Sequence, residues 1–304
     1  MAPGASTSCR SSPSDAVDEL LVVAMLPTHN GERFLRATLE SLLAQDHRKL
    51  RILISDDAST DGTWAICEAA ARADARVTAR RQPSRLGWIA NSNALLSMLD
   101  EIPDARAAFF APHDDTFAPS YVRALLEALI ATPAASLAYA DTTKFNERWS
   151  QVATAAWTVR PGGPFRRGLR YILHVDSDRW TPFRGLVRTE TLRRVGPLRR
   201  SWAGEFEADG RWLFRLHVLG PFVRVPEPLC RKLIYDESLA NVNSPTPGRW
   251  AMQTLSYCDE VARASSLTLL SRAALMIAVA SQALLHLVPG VRTTARAMLR
   301  RLGP

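Results

Sequence analysis

An α/β fold around a mostly parallel central sheet flanked by helices, with a helical extension at the C-terminal end, is what this sequence predicts on three observations. Short aliphatic runs of strand length alternate with helical stretches through the first half of the chain, the pattern of βα units that feed a parallel sheet. Polar clusters follow directly on three of those runs. From Arg249 onward the chain reads as helix rich in Ala, Leu and Arg. A length of 304 residues with 47% hydrophobic content is enough to bury a full core in one or two domains.

Taken in order, Leu20–Met25 is a continuous aliphatic run followed by the breaker Pro27-Thr28-His29-Asn30-Gly31. Leu35, Leu39, Leu42 and Leu43 then recur at helical spacing, which predicts a helix facing the sheet. Ile52–Ser55 is the second strand, and Asp56-Asp57-Ala58-Ser59-Thr60-Asp61-Gly62 supplies a turn and a cap for a helix over Thr63–Arg72. A weaker strand over Arg76–Arg80, the Gly87 turn, a helix over Ile89–Leu99 and a strand over Ala107–Ala111 follow. That strand runs into Pro112-His113-Asp114-Asp115. A helix over Ser120–Ala131 and a strand over Leu137–Ala140 complete the alternation. Residues 142–180 show no sustained period but hold Trp149, Trp157, Trp180 and several arginines, and a long irregular segment in a compact domain is usually functional or mobile. Short helices over Arg188–Val195 and Arg211–Leu219, each ended by glycine, and a last strand over Phe222–Val225 precede the C-terminal helices.

The formal net charge of +8 and pI near 9.8 point to polyanionic partners such as nucleic acid, anionic lipid or diphosphate groups. The four cysteines make no Cys-x-x-Cys pair and no zinc spacing with histidine, which fits free thiols in a reducing cytosol. The first nineteen residues lack the apolar region of a secretory signal and read as a disordered tail. Leu267–Val288 is mostly apolar but interrupted by Arg272, Gln282 and His286, a pattern better suited to a buried or membrane-surface helix than to a bilayer crossing.

Ligands of open α/β sheets bind beyond the carboxyl ends of the strands. Three polar clusters fall there: His29-Asn30, Asp56-Asp57 and His113-Asp114-Asp115. A parallel sheet would bring their four carboxylates and two imidazoles to one edge. Carboxylates cannot hold a nucleoside diphosphate directly; a hard, oxygen-seeking cation such as Mg2+ or Mn2+ would bridge them to the phosphates. The bland alternative for any one Asp-Asp pair is a helix cap or a solvated turn.

The order of Pro27-Thr28-His29-Asn30-Gly31, Asp56 to Thr63, Gly87 with Asn91 and Asn93, and His113-Asp114-Asp115 closely resembles the family-2 glycosyltransferases of the GT-A fold, over about residues 20–240. The resemblance implies an inverting enzyme that moves a sugar from a nucleoside-diphosphate sugar to an acceptor hydroxyl, in cell-surface polysaccharide or glycolipid synthesis. It implies a nucleotide-sugar pocket made from Pro27, His29, Asn30, Asp56, Asp57, Gly87, Asn91 and Asp114. His29 would lie against the base, Asp57 at the base edge, Asp114 near ribose or sugar, and Asp115 on the Mg2+ or Mn2+ ion. The Glu205-Phe206-Glu207-Ala208-Asp209 run resembles the acidic motif that opens a late helix, with Asp209 at the position of the catalytic base and Glu207 in reserve. From spacing alone, those acids could equally form a helix N-terminus. Pro182 to Arg188 is similar to the segment that shapes the sugar and acceptor pocket, and Arg231 and Lys232 fall where a basic residue would approach the diphosphate.

Two features depart from the fuller family pattern: Pro112 stands where a further acid is common, and Ala208 where Glu is common. They favour the alternative of a nucleotide-sugar-binding protein without catalysis. A nucleotidyltransferase would need a glycine-rich, arginine-containing phosphate loop after the first strand, which this chain lacks. A nucleic-acid binder has net charge alone in its favour, and nucleic acid is not an expected partner. The expected domain plan is a tail over 1–19, a catalytic domain over 20–240 and a helical extension over 241–304. The basic C-terminal end suggests peripheral contact of a cytoplasmic protein with an anionic membrane, against the alternative of a lid packed on the core, and a saccharide or lipid-linked acceptor.

Overall fold

A computed structural model of the chain describes residues 17–146, 151–158, 160–173, 178–235 and 246–287. Most of the expected N-terminal tail, Trp149, and the basic run through Arg292, Arg296, Arg300 and Arg301 lie outside the described residues. In chain order the elements are β1 (Val22–Thr28), α1 (Leu35–Leu43), β2 (Leu50–Asp56), α2 (Thr63–Ala73), β3 (Val77–Arg81), α3 (Trp88–Asp100), β4 (Ala107–Phe110), β5 (Asp115–Phe117) and α4 (Tyr121–Ala131). There follow β6 (Leu137–Asn146), β7 (Gln151–Ala155), α5 (Pro164–Leu173), a 3-10 turn over Thr181–Arg184, β8 (Leu186–Arg188), α6 (Thr189–Val195), α7 (Ala208–Leu219) and β9 (Phe222–Ile234). Three helices close the described chain: α8 (Pro247–Leu255), α9 (Tyr257–Arg263) and α10 (Leu269–Leu287).

The strands form one nine-stranded sheet in the order β3-β2-β1-β4-β8-β6-β9-β5, with β7 paired to β6. β1 to β4 run parallel to one another, as the βα alternation requires, and β6 runs parallel to β9. β8 is antiparallel to both β4 and β6 and fills the gap between them. Alternate residues of β1 go to opposite faces: Val23 and Met25 join a core with α3, α5 and α7, while Val22, Ala24 and Leu26 join a core with α1, α2 and α4. Burial on both faces is why this strand reads as an unbroken aliphatic run. Pro27 sits in β1 beyond the last β4 partner, where Met25 faces Phe110, so its missing N–H costs no bond of that ladder.

Three departures from the sequence expectation have physical causes. Segment 142–180 is not irregular throughout, because β6 continues to Asn146, β7 pairs with it, and α5 follows. Thr142-Thr143-Lys144 is polar but is held between β7 and β9, so pairing rather than hydrophobic periodicity makes it a strand. In α5 the buried face includes Arg167, whose guanidinium donates to the carbonyls of His217 (2.6 Å) and Val218 (2.8 Å) at the end of α7; a charged residue on the inner face hides the helical period. β9 extends to Ile234 rather than stopping at Val225 because its second half pairs with β5 and with the outer part of β6.

Candidate active site

The carboxyl ends of β1 and β2 are tied together by side chains. Asn91 on α3 is 2% exposed; it accepts from Ser55 Oγ at 2.6 Å and donates to the Ser55 carbonyl at 2.9 Å and to the Thr28 carbonyl at 3.4 Å. Asn30, at φ 46°, donates its N–H to Ser59 Oγ and accepts the Thr60 N–H on its side-chain oxygen, both at 2.9 Å. Asn is among the few residues that tolerate this left-handed backbone. Gly31 N–H donates to Thr63 Oγ1 at 2.8 Å. The first two polar clusters of the sequence are therefore one hydrogen-bonded unit.

Within that unit the two aspartates do different work. Asp56 is fully buried; it accepts from the Ser59 hydroxyl and, at 3.2 Å, from the Ser59 N–H, and stands 3.4 Å from Arg81 Nε. It braces the turn and does not open to the cleft, so its support of a nucleoside pocket is indirect. Asp57 takes the Leu86 N–H at 2.6 Å and the Gly87 N–H at 2.9 Å, one on each oxygen. Each carboxylate oxygen keeps a further lone-pair direction for a ligand. Gly87 has φ 88° and ψ 161°, a conformation essentially reserved for glycine. His29 is half-buried, with Nδ1 2.8 Å from the Asp57 carbonyl.

Close approaches join this unit to the other two clusters. A first side-chain carbon at Gly31 would stand 2.7 Å from His113 Cδ2, and one at Gly87 would stand 3.6 Å from a Glu205 carboxylate oxygen. His113 begins the third cluster and Glu205 the acidic run before α7, so four distant stretches of sequence meet along one edge.

Asp115 departs from its expected place on a metal. Its carboxylate is fully buried and paired to Arg184, itself 6% exposed, through Arg184 Nε. Burial pushes the Asp115 carboxyl up, and the charges of Arg184 and Lys232 oppose that. Burial works against the charge of Arg184 too, but Asp115 together with Cys230 and Asp114 outweighs it and holds the guanidinium above its ordinary range. A guanidinium does not give up its proton in proteins, so Arg184 stays charged beside Asp115. Asp115 Oδ1 is buried with no hydrogen-bond partner. On the other strand, Lys232 lies opposite Asp115 in the β5–β9 register. Asp114 is the more open carboxylate and lines a pocket of about 260 Å3 with Arg33, Phe34, Thr38, Thr116 and Arg231.

Arg184 also begins a cationic wall. Its guanidinium carbon stands 4.9 Å from the Trp180 ring centroid, with Lys144 Nζ at 5.2 Å and Lys232 Nζ at 5.7 Å from the same ring, each within cation–π range. Lys144 is paired to Asp178 at 2.6 Å.

The acidic run is not a simple helix cap. Glu207 precedes α7 at φ 61°, an uncommon left-handed conformation for a non-glycine residue. Its Oε2 accepts from Arg179 at 2.9 Å and from the Tyr257 hydroxyl at 3.0 Å. Those two donors engage one oxygen of Glu207 and tie it to α9 and to the segment before the 3-10 turn. Gly210 is required beside it, since a side chain there would stand 2.5 Å from Glu207 Oε2 and 2.6 Å from the Tyr257 hydroxyl. Asp209, in the first turn of α7, keeps part of its surface open. Burial and the Glu207 charge push its carboxyl above the ordinary 3.8, against a backbone hydrogen bond from Gly210 and the charges of Arg184 and Arg179. The influence of Arg184 on both Asp115 and Asp209 places the third cluster and the acidic run in one electrostatic site. Arg179 and Tyr257 have no signal in the sequence, because their meaning comes only from contact with Glu207.

Among the described residues, no group of three or more His, Cys, Asp or Glu side chains forms a ready-made metal cage. Mg2+ commonly binds through one or two carboxylates plus substrate phosphates and water, and the open carboxylate of Asp114 fits that use.

Residues 24–191 match the family model described as glycosyl transferase family 2. Glycosyltransferase GlyA of Streptococcus pneumoniae serotype 4 is 27% identical over 131 residues, a match spanning 43% of this chain and 18% of that protein. Residues 1–349 of S. aureus TarS, solved in complex with UDP-GlcNAc, superpose with a TM-score of 0.62 at 14% identity, covering 86% of this chain and 72% of that one. Mannosyltransferase PcManGT of Pyrobaculum calidifontis, solved with GDP-Man and Mn2+, gives 0.59 at 16% identity, covering 94% of this chain and 77% of that one. At these identities the structural likeness is one of fold, and it matches the GT-A architecture expected from the sequence.

Proposed function

The chain belongs to glycosyltransferase family 2, and on that premise we propose that it transfers a sugar from a nucleoside diphosphate to an acceptor hydroxyl with inversion, using Asp209 as the base. The observation that carries this is Asp209, half-buried in the first turn of α7 and held at raised proton affinity by burial and Glu207, on the cleft edge shared with Asp57, Gly87 and Arg184. A general base works best with a pKa brought toward the operating pH.

In this reading His29 and Asp57 hold the base of the nucleotide, Asn91 and Gly87 keep that pocket in shape, and Asp114 faces the diphosphate. A Mg2+ or Mn2+ ion held by Asp114 and the phosphates would supply charge neutralisation of the departing diphosphate. The Mn2+ of PcManGT with GDP-Man, and the UDP-GlcNAc of TarS, support a nucleotide-sugar donor and a divalent ion. Arg184 does not touch the metal role of Asp114; it neutralises Asp115. The acceptor hydroxyl gives its proton to Asp209 as its oxygen bonds to the anomeric carbon. The bond from that carbon to the phosphate oxygen breaks on the opposite face, and the electron pair leaves with the nucleoside diphosphate.

The alternative of a binding protein without catalysis rests on Ala208 and Pro112. Ala208 is 1% exposed inside the core, so its position offers no carboxylate to the cleft, while Asp209 next to it does. Incubation with a panel of nucleotide sugars and Mg2+ or Mn2+, reading released nucleoside diphosphate, tests the proposal. Release from one donor class, lost in Asp209→Asn with donor binding kept, is the expected result. Tight donor binding with no release, with or without saccharide and lipid-linked acceptors, would establish the binding protein instead.

A further inference from the structure

The longest described helix, α10, carries an apolar face that none of the described residues covers. Leu269 and Leu270 are 81% and 82% exposed, Ile277 69%, Leu284 63% and Leu287 52%. Ala273 and Ala280 are exposed between them. At 100° per residue these positions fall on one side of the helix, and that side has no charged residue along all 19 positions. Met252 and Leu255 on neighbouring α8 add 46% and 36% exposed apolar side chains. A contiguous exposed surface of this kind marks an interaction site.

The opposite side of α10 is fixed to the catalytic unit. Leu275, Val279 and Ala283 are buried, and a side chain on Gly168 of α5 would stand 3.1 Å from Leu275 Cδ1. His286 stacks on Trp250 of α8 at 5.8 Å, and Trp250 meets Phe206 of the acidic run edge-on at 5.3 Å. A helix held along one side in this way presents its other side in a plane.

Charge selects the occupant of that plane. From Val261 to Pro304 the sequence has no Asp or Glu and six arginines. Basic residues beside an anionic membrane surface are attracted to it, and an apolar helix face beside them buries in the acyl boundary. We propose that the exposed face of α10 docks in the plane of a lipid bilayer, and the acid-free, arginine-bearing composition of the C-terminal sequence makes that bilayer an anionic one. The helix is long and apolar enough to cross a membrane by composition, but its buried side against α5 and α8 assigns it to the surface.

The test uses the full chain in flotation with vesicles of phosphatidylcholine alone and of phosphatidylcholine with phosphatidylglycerol, at low and high salt. The expected result is flotation with the anionic vesicles at low salt and release at high salt. Ile277→Glu combined with Leu284→Glu should lower binding at least about tenfold, since burial of one such side chain is worth that factor, with melting temperature and donor turnover unchanged. The milder Leu284→Gln should show a smaller loss and keeps the test decisive if the double variant does not fold. Equal binding to neutral vesicles, no flotation of the parent protein, or undiminished flotation of the variants would each overturn the proposal. A parent dimer converted to monomer by the double variant, without vesicle binding, would assign the face to a second copy of the chain and overturn it too.

Discussion

Replacing Asp209 by Asn changes one proton site while keeping the side chain's size at the first turn of α7. A positioned base contributes a factor of about 10² to 10⁴, equivalent to about 2.7–5.4 kcal/mol of barrier, so turnover should fall by that factor while donor affinity holds. The same group has a thermodynamic signature. Burial and Glu207 raise its folded proton affinity above the ordinary 3.8, so the folded protein binds this proton more tightly than the unfolded chain. Stability from this group is fully present below the unfolded value and is lost as pH rises through the raised folded value. The Asn variant lacks that loss; it should be at least as stable as the parent at pH 8 and gain nothing at pH 3. Initial rates of nucleoside diphosphate release and urea denaturation, each across pH, measure both effects. Parent kcat/KM should fall on the acid side as Asp209 takes up its proton. Undiminished turnover in the Asn variant, or a variant destabilised equally at every pH, would refute the assignment.

Other variants address the parts around it. Arg184→Met leaves Asp115 charged and buried, which typically costs about 3–5 kcal/mol; adding Asp115→Leu should recover most of that loss in urea denaturation. Gly87→Ala forces an L side chain into φ 88°, a strain of about 1–3 kcal/mol, and should weaken donor binding in calorimetry because the Gly87 N–H is anchored on Asp57. Asp114→Ala should weaken donor binding in Mg2+ or Mn2+ and leave the chelator-treated affinity unchanged; equal metal dependence in parent and variant would remove Asp114 from the metal role.

Much of the scaffold is legible in the sequence because its signals are local. The βα alternation through Leu137 follows from aliphatic runs and helical spacing, and it recurs as β1 to β4, α1 to α4 and the start of β6, whereas β5 has no such signal and β6 runs on to Asn146. The strand-end clusters could be named because a parallel sheet must deliver its carboxyl ends to one edge. The second half of the site was hidden. β8 is three residues long and takes its identity from two partners, and α5 carries a buried arginine where the period needs an apolar residue.

Side-chain roles divide along the same line. Residue order named Asp57, Asp114 and Asp115 as acids that matter, from their places after strands, and the family resemblance added Glu207 and Asp209, which spacing alone left open to a helix N-terminus. Which of them is free to meet a ligand depended on partners far away in sequence. Arg184 takes Asp115 out of reach, Arg179 and Tyr257 hold one oxygen of Glu207, and Asp209 and Asp114 stay half-buried with no such ion pair among the described residues. A carboxylate's chemistry is set by burial and by the cations and donors within a few ångströms of it, and those neighbours exist only once the chain has folded.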